Sequence, residues 1–191
     1  MTEPRVTHDR VAVVVNGNAK QVTDDLVEML DQIVQSGDLF VSRSLSEGRD
    51  IARRIVVRGY PTVLTGGGDG TFTQMVTWIA HEADTRGKPR PRFGLLKLGT
   101  GNALAWVLGA QKGVVADLGR LRREGGSRSL RLLEVEGMLA PFAGFGVDAL
   151  ALTHFNEVKS AFRNLPILKK HGMGAVAYAA GSVAMPLPHA P

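Results

Sequence analysis

The seven residues Thr65-Gly66-Gly67-Gly68-Asp69-Gly70-Thr71 constrain this chain more than any other stretch. They follow Pro61-Thr62-Val63-Leu64, an apolar run that reads as a buried strand, and precede Phe72 to Ala80, whose apolar spacing predicts a helix. A strand that passes through glycines into a helix brings several backbone N–H groups close together, because no Cβ stands in the way. The helix N-terminus adds partial positive charge, so phosphate is the ligand such a turn suits best. Asp69 is the one carboxylate in the stretch, placed to hold a ligand hydroxyl, a metal-bound water or a loop amide. A tight turn with no ligand is the plain alternative at this point.

The same alternation runs along the first 125 residues. Val11 to Val15, all β-branched or alanine, reads as a buried parallel strand, with Asn16-Gly17-Asn18-Ala19-Lys20 as the loop at its carboxyl end. Thr23, followed by Asp24 and Asp25, starts a helix with Leu26, Leu30, Ile33 and Val34 on one face. Leu39 to Ser42 is a short second strand, and Ser44 with Glu47 has capping-box spacing ahead of a helix over Asp50 to Val57. The polar, proline-containing connector Glu82 to Arg92 is expected to be an exposed loop. Phe93 to Leu98 is a fourth strand, running into Gly99-Thr100-Gly101-Asn102. Strands alternating with helices predict a parallel sheet covered on both faces. Ligands of such sheets bind beyond the carboxyl ends of the strands, where residues 16 to 20, 65 to 71 and 99 to 102 converge.

After a helix over Val114 to Arg123 the pattern changes at Glu124-Gly125-Gly126-Ser127. Ser129 to Glu136 alternates, and Met138 to Val147 offers a second strand across a turn at Gly137, in antiparallel style. A helix over Asp148 to Phe162 and a glycine-interrupted helical stretch to Met185 follow. The expected organisation is therefore an α/β domain over residues 1–125 and the start of a β-rich domain over residues 126–191. Two strands cannot bury a face by themselves. The second domain is thus expected to be truncated, its open face completed by further chain or covered by a second copy in a homodimer.

Composition narrows the function classes. A hydrophobic fraction of 44% and a charged fraction of 21% are those of a soluble globular protein. With no cysteine there is no thiolate nucleophile, disulfide or sulfur metal site. The formal charge of +5 suits nucleotides, nucleic acid or anionic membrane surfaces alike. Met1 to Arg10 lacks the apolar core of a secretory signal, and Met173 to Leu187 is broken by glycine, serine and proline, so a cytoplasmic location is expected. His8, His81, His154, His171 and His189 show no metal-ligand spacing. Arg86, Lys88, Arg90 and Arg92 form one basic cluster, and Arg120, Arg122, Arg123, Arg128 and Arg131 another. Either could face anionic lipid, although a solvated face is the simpler reading. Trp78 and Trp106 fall on apolar helix faces and are expected in the core.

Thr65 to Thr71, followed by Leu98-Gly99-Thr100-Gly101-Asn102, resembles the catalytic domain of the diacylglycerol kinase family. That family takes in bacterial lipid kinases and the sphingosine and ceramide kinases, within a superfamily shared with NAD kinases. Its first loop usually reads Asn-Pro-x-Ser-Gly; here Asn16 is kept and the proline and serine are not. Lys97 stands where the family usually has proline. Gly144-Phe145-Gly146-Val147-Asp148-Ala149 is similar to the Gly-x-Gly-x-Asp-Ala segment that opens the family's second domain.

The resemblance implies a two-domain lipid kinase: a Rossmann-like three-layer α/β/α domain, then a β-sandwich, with ATP in the cleft between them. The γ-phosphate of magnesium-bound ATP would pass to a lipid hydroxyl. By the same resemblance Gly66, Gly67, Gly68, Asp69, Gly70 and Thr71 line the nucleotide phosphates, and Gly99, Thr100, Gly101 and Asn102 face them. Asn16 supports the nucleotide from the first loop, and Ser44 or Ser46 supplies a hydroxyl from the end of the second strand. Asp69 is the candidate catalytic residue, its role in the superfamily varying from nucleotide or magnesium-water contact to acceptor of the substrate proton. No residue is assigned as a metal ligand, because the proposed base and the magnesium ligands of bacterial relatives lie in the distal second domain, beyond the position of Pro191. The implied cofactors are ATP and Mg2+; the implied partners are ATP, a lipid and peripherally an anionic membrane, with no nucleic acid. This chain alone is expected to bind nucleotide without turning over. Two other classes stay open: a non-catalytic nucleotide-binding or regulatory protein, and an NAD kinase, which shares the first glycine motif but is expected to differ over Leu98 to Asn102.

Overall fold

Four parallel strands carry the core, and the elements follow one another as β1 (Val11–Asn16), α1 (Asp24–Ile33), β2 (Leu39–Ser42), α2 (Leu45–Arg58), β3 (Thr62–Gly67), α3 (Asp69–Thr85), β4 (Arg92–Lys97), α4 (Ala103–Val107), α5 (Val114–Glu124), β5 (Leu133–Val135) and β6 (Met138–Ala140). The computed structural model describes residues 10–34, 37–99, 102–110, 113–124, 127 and 129–144. Met1–Pro141 form one compact unit and Phe142–Pro191 a second, and the elements above all belong to the first. The helix expected over Asp148 to Phe162, the stretch to Met185 and residues 145–149 lie outside the described residues.

The sheet order is β2-β1-β3-β4. The chain moves from β1 to one side and later from β3 to the other, so β1 and β3 flank the point where the winding reverses. Alternation along β1 decides the layers. Ala12 and Val14 pack under α2 and α3 with Ile55, Met75 and Ile79. Val13 and Val15 pack on the opposite face with Leu30 of α1 and Leu118 of α5. The result is three layers, helix on sheet on helix. A fully buried Leu or Ile contributes about 1.5–3 kcal/mol, so Leu30, Ile55, Leu64, Ile79 and Leu96 hold much of the fold.

Several local expectations shift. Ser44 does cap α2, accepting the Glu47 amide at 3.2 Å, but the helix starts at Leu45, and Glu47 Oε2 takes the Arg43 amide at 2.6 Å instead of the cap's own. α3 runs on to Thr85, so the connector shortens to residues 86–91. Ile33 turns outward at 38% exposure, while Leu30 and Val34 are buried. Trp78 packs against the core, but Trp106 is 74% exposed: α4 is a short helix whose buried side is taken by Leu104 and Ala105. The β5–β6 hairpin turns at Glu136 and Gly137, with φ of +50° and +76°, the paired left-handed geometry that matches strand twist. Leu139 of β6 is buried against α3, and its amide donates to Thr77 Oγ1 at 2.9 Å.

The amino edge of the sheet is closed by polar contacts. Tyr60 donates to Asp38 Oδ1 at 2.5 Å, and Arg10 reaches both Asp38 Oδ1 and the Tyr60 hydroxyl at 3.0 Å. Burial pushes the Tyr60 hydroxyl above the ordinary tyrosine range, and the bond to Asp38 adds to it. The basic connector lies at this edge too. Arg86 pairs with Glu82, Arg90 holds both oxygens of Asp84, and Lys88 donates to the carbonyls of Val56 and Val57 at the end of α2.

Candidate functional site

Sheet pairing reshapes the glycine stretch. Gly66 pairs with Val15 and Leu96, and Gly67 with Lys97, which draws both into β3 despite glycine's weak strand preference. α3 begins at Asp69, so Gly68 alone separates strand from helix. The glycines serve two different needs. A Cβ on Gly67 would meet Thr71 Oγ1 at 2.5 Å, and one on Gly99 would meet Gly68 Cα at 2.2 Å, so the two glycine turns touch backbone to backbone. Gly68 itself has φ −94° and ψ −176°, which any residue adopts; a Cβ there would meet only Gly99 Cα at 3.6 Å, and one on Gly70 would meet nothing within 4 Å. Neither strain nor packing asks for glycine at these two positions. They leave open room at the first turn of α3, where the cap has no side chain and the amides of Asp69 and Gly70 keep their capacity to donate.

Side chains tie the neighbouring loops to this junction. Asn16 Nδ2 donates to Thr71 Oγ1 at 3.1 Å, and Asn16 Oδ1 accepts the Asn18 amide at 2.9 Å. Asn18 Nδ2 reaches the Arg43 carbonyl at 2.7 Å, fastening the first loop to the turn before α2. Gln21 Nε2 donates to the Gly99 carbonyl at 3.0 Å. Asp69 accepts two amides of the first turn of α4, Ala103 at 3.0 Å and Leu104 at 2.9 Å; of the three kinds of partner the sequence allows it, these are backbone amides, from a helix start and not a loop. Asn102 is 4% exposed with φ +54°, a conformation asparagine tolerates; its Oδ1 accepts the Gly99 amide at 2.9 Å and its Nδ2 donates to the Gly99 carbonyl. Thr100 and Gly101 lie outside the described residues.

A cavity of about 220 Å³ opens beside the junction, lined by Asn16, Arg43, Ser44, Thr71, Gln74 and Trp78 among others. It neighbours a groove of about 560 Å³ that shares Leu45, Gln74 and Trp78. Together they reach the size of small-molecule sites, about 300–1,000 Å³. Ser44 lines the cavity while capping α2, and its hydroxyl is 3.0 Å from that of Ser46. Lys20, Arg43 and Lys97 place positive charge on the loops and strand end of the same edge. Among the described residues no three His, Cys, Asp or Glu side chains gather into a metal site. The amides and hydroxyls described at this edge fit phosphate. Asn18 and Gln21 were not legible as site residues, since Gln21 meets its partner across 78 residues of chain.

Residues 10–135 match the family described as Diacylglycerol kinase catalytic domain. A protein of Chromohalobacter salexigens named "Probable lipid kinase YegS-like" is 31% identical over 100 residues, 51% of this chain and 31% of that protein. A protein of the same name from Pseudomonas aeruginosa is 29% identical over 150 residues, 76% of this chain and 47% of its own length. The matched part therefore spans less than half of either relative. A solved structure described as "A putative diacylglycerol kinase from Bacillus anthracis str. Sterne" superposes with a TM-score of 0.48 at 18% identity, covering 61% of this chain and 39% of that one. The chain belongs to the diacylglycerol kinase catalytic domain family.

Proposed function

We propose that this chain is the nucleotide-binding half of an ATP-dependent lipid kinase, which moves the γ-phosphate of magnesium-bound ATP to a lipid hydroxyl. The observation that carries the reading is the pair of touching glycine turns with open room at Gly68 and Gly70, set against the uncapped first turn of α3. The amides of Asp69 and Gly70 and the α3 dipole would hold the phosphates, with Thr71 kept in place by Asn16. Thr100, Gly101 and Asn102 would face them from the β4 side, and Ser44 from the cavity. ATP supplies the transferable phosphoryl group, and phosphoryl transfer asks the protein for positioning and charge neutralisation. The described residues provide the first of these, and Lys20, Arg43 and Lys97 add charge for the second.

Residues 126–191 would begin the second, β-rich domain in this reading, although the β5–β6 hairpin itself packs within the first compact unit through Leu139. Lipid contacts, the base and any peripheral membrane contact belong to the whole protein in this reading, with the cytoplasm as its location. A non-catalytic nucleotide-binding role is the second reading, favoured by the engagement of both Asp69 oxygens.

The test is a Gly68→Val variant of the 191-residue chain. Its backbone accepts the side chain, so the fold should survive while magnesium-ADP binding is lost; unchanged affinity would sink the assignment. Radiolabelled ATP offered with a lipid panel and with NAD to the longer protein then separates the substrate classes. Label in a lipid supports a lipid kinase, label in NADP alone an NAD kinase, and binding without transfer the regulatory reading.

A further inference from the structure

We infer that Gln21 and Asp69 act as a two-sided brace, positioning residues that hold Gly99 and the first turn of α4 against the α3 turn. The inference rests on the nucleotide-binding reading and deepens it. Gly99 is the near side: its carbonyl takes the Gln21 side-chain amide, and its Cα lies against Gly68 with no room for a Cβ. Ala103 and Leu104 are the far side, their amides held one to each oxygen of Asp69. Asn102 closes the turn on itself through the Gly99 backbone. Pairing of Gly67 with Lys97 sets the register up to the two glycine turns, and beyond it two side chains join them, one from the β1 loop and one from the first residue of α3.

The arrangement assigns Asp69 a role other than proton acceptor. Each oxygen of the Asp69 carboxylate accepts one amide of α4, and its position on α3 ties any shift of that helix to a shift of α4. Gln21, neutral and exposed, brings no charge towards a phosphate, so its contribution is the bond alone.

The test uses the 191-residue chain, with amide hydrogen exchange at Ala103 and Leu104 and calorimetric titration with magnesium-ADP. Asp69→Ala should speed exchange at both amides and weaken ADP about tenfold, as the loss of a helix cap does. Asp69→Asn keeps one acceptor and should fall between, Gln21→Ala should lose about threefold, and Gln21→Glu, which also turns a negative charge towards the Gly99 carbonyl and the phosphates, should lose more. Combining Gln21→Ala with Asp69→Ala should cost less than the two effects added, since each variant frees the same turn. A merely structural role would lower the melting temperature without this ordering of affinities. Unchanged exchange at Ala103 and Leu104 in Asp69→Ala overturns the brace. Faster exchange with unchanged ADP affinity overturns its part in nucleotide positioning. A wild-type chain that binds no magnesium-ADP, yet shows the faster exchange in Asp69→Ala, removes the nucleotide reading and leaves the brace as a feature of the fold.

Discussion

The two edges of the sheet use the same kinds of polar residue to opposite ends. At the amino edge Arg10, Asp38 and Tyr60 satisfy one another, and Arg86, Lys88 and Arg90 each find a partner in their own surroundings. At the carboxyl edge Asn16, Asn18, Gln21 and Asp69 bind other loops, while the first amides of α3 receive no capping side chain. One edge is a closed polar seal. The other is a frame around unused donors. What the contrast teaches is that charge density and open donors separate here: the denser cluster of cations sits at the sealed edge, and the proposed site lies where glycines and backbone amides gather.

The comparison breaks most completely at Gly99. A Cβ 2.2 Å from the Gly68 backbone cannot be absorbed by a flexible side chain, so Gly99→Ala should force the turns apart. Nucleotide affinity should fall at least a hundredfold, with about 1–3 kcal/mol of stability lost to overpacking; titration together with denaturant unfolding checks both. Tyr60→Phe attacks the other edge. It removes a donor to the buried Asp38 carboxylate, so about 1–3 kcal/mol of stability should go with nucleotide affinity unchanged. A drop in affinity in that variant would mean that the edges are coupled.

Gly70→Ala sharpens the contrast through opposed signs. Alanine in a helix is worth about 1 kcal/mol over glycine, and no atom lies within 4 Å of the new Cβ, so the melting temperature should rise while nucleotide affinity falls. A rise in both would remove Gly70 from the site. The smallest effect is one of pH. Tyr60 keeps its proton in the folded protein beyond the pH at which the unfolded chain gives it up, so its share of stability is present below about pH 10 and lost as pH rises past it. Melting curves from pH 8 to 11 should fall more steeply for wild type than for Tyr60→Phe.

The alternation of strand and helix made the α/β sheet legible, and β2 over Leu39–Ser42 and the Thr23 cap of α1 follow directly from local chemistry. The glycine motifs fall at the carboxyl edge, as the strand–helix alternation predicts. Extents were harder to read. Nothing local tells Gly66 and Gly67 to extend β3; their partners Val15, Leu96 and Lys97 come from two other strands. Trp106 was misplaced for the converse reason, since a helical pattern does not say that α4 stops after five residues with its buried side already filled. An amide partner for Asp69 was one of three alternatives the sequence allowed, whereas the clasp of Gln21 was invisible because it joins residues far apart in the chain through a single side chain.

That only Gly68 stands between β3 and α3 has a consequence for the entropy of binding. Fixing the backbone of one residue costs about 1–2 kcal/mol, so a free seven-residue loop closing on a ligand would forfeit much of its gain. Here the ladder bonds of β3 and the first turn of α3 have already fixed six of those seven residues during folding. A ligand that docks on this turn meets a surface already in its final form, and the flexibility it must quench is confined to one peptide unit.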